Sequence, residues 1–578
     1  MFRLAKYLKK FRKYVIIGPI FKLTEAVFEL IVPLVMASII DVGIKNQDRE
    51  YVLRMGGVMV LLGVLGLLFA LICQYSAARA SQGFGTVLRN EMFAHINTFS
   101  HAEIDRLGSS SLITRIVNDV NQLQLAVAML IRLVIRAPFL VIGAAVMAMR
   151  LDLRLSVIFL IVAPLVALVL YVIMSRSVPY YKVRQAKLDK VSLITRETLE
   201  GARVIRAFSR QEKEKERFME ASEDVTEVAM RVGKISAFLN PATFAILNLA
   251  IVAIVWFGGF RVESGAMTQG EIIAFVNYMT QISLALVVVA NLVVTFTKAG
   301  ASAVRVNEVL DTQPSVTEGS LTESPKAAGR GPKISFRDVS FAYPGTSKYS
   351  LEHVTVNIME GETVGIIGGT GAGKSTLINL MPRFYDISEG ELLIDGIPVQ
   401  EYTFATLRGQ FGVVPQRAEL FRGTILENMR WAKADASEEE IREAVEAAQA
   451  ADVVAGKEEG YQSMIMEGGK NLSGGQKQRL TIARALVGKP KILILDDSSS
   501  ALDYATDAKL RKAIREFSRD MTVFIVSQRA NSIRHADKII VLDDGKVAGI
   551  GTHEELFLRC GVYKEICLSQ FSEEEAMA

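Results

Sequence analysis

A chain of 578 residues, 50% hydrophobic and with a formal net charge of only +4, is too long for one domain and too apolar to be wholly soluble. So small a net charge gives nothing on which to argue a nucleic-acid partner. Cys73, Cys560 and Cys567 stand at no disulfide or metal-binding spacing, which points to a reducing compartment. The apolar residues gather in the first half. Runs of the ~20 residues needed to cross a hydrocarbon core fall at residues 14–40, 53–73, 128–149, 155–174, 237–260 and 272–294. Six membrane helices are expected, because core helices of a soluble domain would not supply so many long runs in succession.

Ahead of the first run, Arg3, Lys6, Lys9, Lys10, Arg12 and Lys13 stand without an acid, which places the N-terminus in the cytoplasm. The stretch can lie as an amphipathic helix on the membrane surface. It has no small-residue cleavage site and its apolar run is long, so it reads as the start of the first span and not as a removable signal. Spans 2 and 3, and again 4 and 5, are joined by polar, helix-rich stretches at 74–127 and 175–236, whereas the outward connections are short. Long helices should therefore project into the cytoplasm.

Lys22, Glu25 and Glu29 lie at i, i+3 and i+7 on one face of the first span, and Arg132 and Arg136 share a face of the third. Intramembrane charges default to function, facing water or each other. Either they line a substrate cavity, or Glu25 or Glu29 pairs with Arg132 or Arg136 to hold the bundle. Asn277 and Gln281, with Asn240, Asn248, Tyr278 and Asn291, are polar cavity candidates in the last two spans, although such residues also join helices. Residues 312–332, with Pro314, Pro325, Gly329, Gly331 and Pro332, read as a linker. The expected division is a membrane domain at 1–311, the linker at 312–332 and a soluble domain at 333–578.

In the soluble domain, Gly368-Gly369-Thr370-Gly371-Ala372-Gly373-Lys374-Ser375 fits the pattern G-x-x-x-x-G-K-[ST], between a strand-like run at 363–367 and a helix-like run that continues through Thr376. Glycines let backbone N–H groups wrap phosphates, and the helix N-terminus adds a favourable dipole. Lys374 would reach the β- and γ-phosphates of ATP, and Ser375 would ligate Mg²⁺. Farther on, Leu472-Ser473-Gly474-Gly475-Gln476 leads into a helix, where Ser473 and the amides of Gly474 and Gly475 form an anion site with no phosphate of its own. Ile492-Leu493-Ile494-Leu495 then ends in Asp496, a buried strand delivering a carboxylate to nucleotide-bound Mg²⁺.

These strings resemble the ATP-binding-cassette (ABC) family, and the likeness covers nearly the whole chain. It looks like one half of a heterodimeric exporter of the multidrug type. The resemblance implies an all-α six-helix transmembrane domain followed by an α/β P-loop NTPase domain. On the family's pattern Tyr343 offers a flat surface to adenine, and Gln416, in Val413-Val414-Pro415-Gln416, touches Mg²⁺ or water. The Leu472–Gln476 signature closes on the γ-phosphate held by a second, facing domain, and Asp503 crosses the same interface. Glu467-Gly468-Gly469 sits where exporters contact cytoplasmic helices but lacks the usual basic residue. Residues 109–115 and 201–208 fall where the family has coupling helices, the first contacting both ATPase domains and the second mainly the partner's.

Two positions depart from that pattern. Asp497 stands where the family has a water-polarising glutamate, and Gln528 where it has a histidine that hydrogen-bonds the γ-phosphate; His535 belongs to an ordinary stretch before the next strand. Aspartate withdraws the carboxylate by ~1.5 Å, and misplacements near 1 Å can cost ~10²-fold in rate. Glutamine donates a hydrogen bond but carries no positive charge. This site should hold Mg·ATP and turn it over slowly. Because ABC sites are composite, a homodimer would contain two impaired sites. A heterodimer restores one, and this overrides the usual prior for symmetric homodimers. The partner is expected to have an intact glutamate and histidine and an altered signature. The implied function is ATP-driven export of amphipathic small molecules by alternating access. A lipid flippase is the alternative, favoured by a cavity open to membrane lipid with a basic lining; a peptide exporter or an ATP-gated regulator is further off. No peptidase domain precedes the first span, which argues against cargo-trimming exporters, and the short N-terminus leaves no room for a transit sequence, which points to a bacterial plasma membrane.

Overall fold

Long apolar runs with no water to satisfy their backbones must close their hydrogen bonds within helices. The computed structural model, which describes residues 2–323, 331–498, 502–517 and 520–571, does this with six helices: Arg3–Ile44, Arg49–Ile96, Ser109–Leu151, Val157–Glu200, Gln211–Glu263 and Gln269–Asp311. Each takes in one apolar run, apart from Leu155 and Ser156, which turn ahead of the fourth helix. At 1.5 Å per residue a helix of 44 residues is ~66 Å long, about twice the ~30 Å hydrocarbon core. The surplus lies in the polar stretches between spans.

The chain separates into two units, Met1–Ile96 with Ser110–Asp311, and Asn97–Ser109 with Thr312–Ala578. In the first, small side chains let helices approach closely: Ala26, Ala144, Ala148 and Ala274 are buried together with Phe275 and Tyr278. Val60, Leu67, Leu160 and Leu249 point outward. Carboxylates tie the helix ends. Asp41 accepts from the Gly270 amide (2.9 Å) and Thr268 Oγ1 (2.6 Å). A Cβ on residue 270 would stand 2.5 Å from the Ala37 carbonyl oxygen, so only glycine permits this approach. Asp152 accepts from the Leu155 amide (2.7 Å) and the Arg261 guanidinium. Asp119 accepts from Ser302 Oγ (2.9 Å) and Arg305 Nε (2.7 Å).

The connection between spans 2 and 3 differs from expectation. Ser109–Thr114 is the opening of the third long helix, whereas the short separate helix is His101–Leu107. Ser100 and Glu103 form a reciprocal capping box at its start, and Gly108 ends it at φ 75°. This helix belongs to the second unit. The Glu103 carboxylate accepts from the Ser100 amide (2.9 Å) and the Ser315 amide (3.2 Å), and Asp105 accepts from Tyr385 Oη (2.7 Å). Between spans 4 and 5, Ala202–Ala207 forms the short helix expected there, with none of its residues buried.

The second unit is α/β. A four-stranded antiparallel sheet, in the order Leu351–Ile358, Ile334–Phe341, Glu389–Ile394, Ile397–Pro398, lies beside a six-stranded one. The latter runs Lys546–Gly551, Lys538–Asp543, Thr363–Gly368, Thr522–Val526, Ile492–Asp496, Phe411–Val414, parallel except for its first member. Central strands buried on both faces are continuously apolar, and Ile492–Asp496 is buried at every position. Separate cores form around the sheets and around the helices Glu438–Ala447 and Gly474–Val487. Of the sequence-defined linker, Leu321 bridges to Tyr402 and Glu318 accepts from the Phe404 amide (2.9 Å). Residues 324–330, with Pro325 and Gly329, and Ser500 and Ala501 ahead of Asp503 lie outside the described residues.

Candidate functional site

Parallel α/β sheets place their chemistry at the carboxyl ends of the strands. Here Thr363–Gly368, Thr522–Val526 and Ile492–Asp496 are neighbours, with Val526 opposite Asp496 in one direction and Ile366 in the other. The register therefore sets the phosphate loop, Ser527-Gln528 and Asp496-Asp497 side by side.

The loop Gly368–Gly373 needs its glycines. A Cβ at Gly368 would stand 2.2 Å from the Leu542 carbonyl oxygen, and Gly373, which caps the helix Lys374–Leu380 at φ 95°, would meet the Ser350 carbonyl oxygen at 2.7 Å. Gly369 and Gly371 face open space, which leaves Thr370 and Ala372 on a loop whose amides can face a phosphate. Lys374 Nζ donates to the carbonyls of Gly368 (2.9 Å) and Gly369 (2.7 Å). Burial lowers its pKa, opposed by Asp496 and Asp497. The Ser375 hydroxyl donates to Asp496 Oδ2 at 3.1 Å. Two oxygen donors meeting at the mouth of a phosphate loop suit Mg²⁺, a hard cation usually held by one or two protein oxygens plus phosphates. Ser375 and Asp496 would hold it, with Gln416 hydrogen-bonded to the neighbouring Asp497, and the ion would neutralise phosphate charge.

Burial pushes the Asp496 carboxyl up, the neighbouring Asp497 adds to this, and the Ser375 hydrogen bond opposes it. Asp497 follows at φ 44°, a left-handed conformation that aspartate tolerates better than most residues. Its amide donates to the Val526 carbonyl (2.9 Å). Burial raises its pKa against the Arg529 charge and a hydrogen bond from the Gln416 side chain. Asp497 and Gln416 thus meet, and Arg529, to which the sequence alone assigns no role, is the cation with the largest effect on Asp497. Gln528 is exposed, and its side chain has no hydrogen-bond partner among the described residues. Its backbone carbonyl accepts from Gln570 Nε2 (2.8 Å), while Gln570 Oε1 accepts from the Ala530 amide (2.9 Å). His535 stands ahead of the strand Lys538–Asp543, at the amino end of the parallel strands and away from the phosphate loop at their carboxyl ends, so it supplies no substitute for the histidine.

Tyr343 is half-buried, its hydroxyl 3.1 Å from Thr376 Oγ1 and its ring packed edge-on against Tyr385 at 5.2 Å. Ser473 caps the helix Gly474–Val487 in a reciprocal box with Gln476, which leaves Ser473 and Gly474 exposed and Gly475 half-buried. Leu472 is buried in the helical core, whereas Ala372 and Leu377 of the phosphate loop and its helix belong to the sheet core. The signature thus stands on a different packing layer from the phosphate loop. Glu467 and Gly468 join Gln416, Gly474 and Lys477 around a surface cavity of about 570 Å³. Asp503 accepts from the Thr506 amide (2.9 Å) and is exposed.

In the membrane unit, Lys22 pairs with Glu25 (2.6 Å) and Arg136 with Glu29 (2.6 Å). Gln281 Nε2 donates to the Glu29 carbonyl (3.1 Å). Arg132 has no ion-pair or hydrogen-bond partner among the described residues. Asn277 donates to the Ile273 carbonyl of its own helix, and Tyr278 Oη to the Leu30 carbonyl (2.7 Å), a tie between helices. Asn240, Asn248 and Asn291 are exposed.

Residues 15–286 match the family model described as ABC transporter transmembrane region, and residues 351–500 the one described as ABC transporter. The chain belongs to the ABC transporter family, as an exporter-type half-transporter in which six membrane helices are fused to an ATPase domain. It is 38% identical over 574 residues to YfiB of Bacillus subtilis strain 168, an uncharacterized ABC transporter ATP-binding protein, with 99% of each chain covered. It is 31% identical over 578 residues to the ATP-dependent lipid A-core flippase of Chromobacterium violaceum, covering 99% of this chain and 98% of that one. Its fold matches a bacterial Atm1-family ABC exporter solved with ATP bound, at a TM-score of 0.81 and 25% identity over 97% of this chain and 99% of the other.

Proposed function

We propose that this chain is the weak-site subunit of a heterodimeric exporter that moves amphipathic molecules, drug-like compounds or lipids, out through a bacterial plasma membrane. The observation that carries the reading is Asp497, a carboxylate one methylene short of the usual glutamate, beside a switch position occupied by Gln528. Lys374, Ser375, Asp496 and Gln416 retain the means to hold Mg·ATP. Tyr343 would stack on adenine. Lys374 would exchange the carbonyls of Gly368 and Gly369 for phosphate oxygens. The intact signature at Leu472, Ser473, Gly474, Gly475 and Gln476 would complete a competent site with a partner's Walker residues and catalytic glutamate, with Asp503 at the shared interface. ATP binding at both sites would draw the ATPase domains together, and hydrolysis at the competent site would reset the membrane cavity. The working division is 1–311 for the membrane domain, 312–332 for the linker and 333–578 for the ATPase domain. The name of the Chromobacterium relative favours lipid as a second reading of the cargo.

Nucleotide trapping tests the proposal. After turnover of the native oligomer with a photoreactive ATP, this chain's phosphate loop should retain mainly the triphosphate and the partner's mainly the diphosphate. Equal diphosphate on both chains would overturn it.

A further inference from the structure

The third span carries a cation left unmatched among the described residues. Leu130–Val134 is wound as a π-helix, a device often found at functional sites, and Arg132 sits at its centre, half-buried. The first span presses on this turn through Gly18, where a Cβ would come within 2.4 Å of Ile131 Cγ2. One helical turn farther, Lys22 reaches both oxygens of Glu25 at 2.6 and 2.7 Å, while an Arg136 terminal nitrogen reaches both oxygens of Glu29 at 2.6 and 2.7 Å. The Gly18–Ile131 contact and the Arg136–Glu29 pair tie the same two spans together on either side of Lys22, Glu25 and Arg132, so the charges form one group. Three cations face two carboxylates, both already engaged.

Two more polar atoms of the group are buried without partners among the described residues, Arg136 Nε, a donor, and Gln281 Oε1, an acceptor. Measured from the start of the apolar runs at 1.5 Å per residue, Arg132 lies ~6 Å and Lys22 and Arg136 ~12 Å inside the cytoplasmic boundary. Ionisable side chains at such depth are paired, face water or mark a substrate path. The group lacks one negative charge and has spare donors to receive it.

We propose that Arg132, with Arg136 Nε beside it, binds the single anionic head, carboxylate or phosphate, of an amphiphile entering from the cytoplasmic leaflet. The Lys22–Glu25 and Arg136–Glu29 pairs keep the rest of the group neutral, so the site selects one negative charge over none or several. The word cargo for this amphiphile rests on the export reading above; the binding site does not. The same chemistry is offered by a fatty-acid carboxylate and by a phospholipid head, and the probes separate them.

The test is equilibrium binding of radiolabelled oleate, lysophosphatidate and neutral methyl oleate to the full-length protein in phosphatidylcholine nanodiscs, in its native oligomer. Wild type should bind at least one of the anions saturably, and the tighter of the two identifies the head. Arg132→Ala should weaken anion binding ~10- to 100-fold, as for loss of a charge-assisted contact, and leave methyl oleate unchanged. Arg132→Lys should retain part of the affinity, and Arg150→Ala, an exposed arginine at the far end of the same span, all of it. An unchanged anion affinity in Arg132→Ala, an equal loss for methyl oleate, or no saturable anion binding to wild type would overturn the proposal. If binding follows Arg132 but ATP drives no movement of the bound anion, the export reading fails and the site stands.

Discussion

Asp497→Glu should accelerate ATP hydrolysis at this chain's own Walker site by ~10- to 100-fold. The substitution is best read in the assembled pair, with the partner's catalytic glutamate changed to glutamine so that only this site can turn over. The added methylene advances the carboxylate ~1.5 Å. A misplacement near 1 Å costs ~10²-fold, equivalent to about 2.7 kcal/mol of barrier, which sets the upper figure. Full recovery is not expected, because Gln528 still stands where a cationic donor would stabilise the transition state, and loss of one such donor costs ~10²- to 10³-fold. The backbone resists the change. Residue 497 sits at φ 44°, and a longer side chain in that left-handed region should cost ~1 kcal/mol, or ~2–4 °C of Tm for a domain of this size. The expected variant is faster and slightly less stable, measured by phosphate release and thermal unfolding on the same sample. An unchanged or reduced rate would refute the reasoning and make Asp497 a competent base as it stands.

Lys374→Ala should abolish nucleotide binding at this chain's loop and slow the pair by weakening domain closure, but less than Ser473→Arg, which should cost the pair more than ~10²-fold by filling the anion site that completes the competent centre; steady-state ATPase of the two variants checks the contrast. Burial would raise the Glu103 carboxyl, but hydrogen bonds from Ser100 and Ser315 outweigh it and leave its pKa below the ordinary value. With the folded pKa below the unfolded one near 4.3, this interaction stabilises above that pH and is lost as pH falls through the folded value. Glu103→Gln should therefore raise amide exchange in His101–Leu107 at pH 7 and differ little from wild type in acid. Gln570→Ala removes two hydrogen bonds to the switch loop, each worth about 1 kcal/mol, and should speed exchange at 527–533 without unfolding the domain.

Features written in contiguous residues were readable from the sequence. The phosphate loop needs three local things, a strand, glycines and a helix start, and all three lie within 363–376. The buried strand before Asp496 shows as an unbroken apolar run because both its faces are covered. The short helix between spans 2 and 3, His101–Leu107, stands ahead of the expected 109–115, since its stop signals, the Ser100 and Glu103 capping box and Gly108, are short and sit inside a long polar stretch. Which carboxylate meets which arginine could not be read, because helical periodicity assigns a face to Glu29 and to Arg136 but not the rotation of one helix against another. Arg529 and Gln570 were silent for a related reason: their partners are brought near by the sheet register and by the packing of the C-terminal helix Gly561–Leu568, not by spacing.

The most direct measurement is ATPase turnover of the purified chain alone and again with the half-transporter it assembles with. The account predicts a nearly inactive chain and an active pair. Brisk turnover by the chain alone would contradict it and make this a homodimer with two working sites.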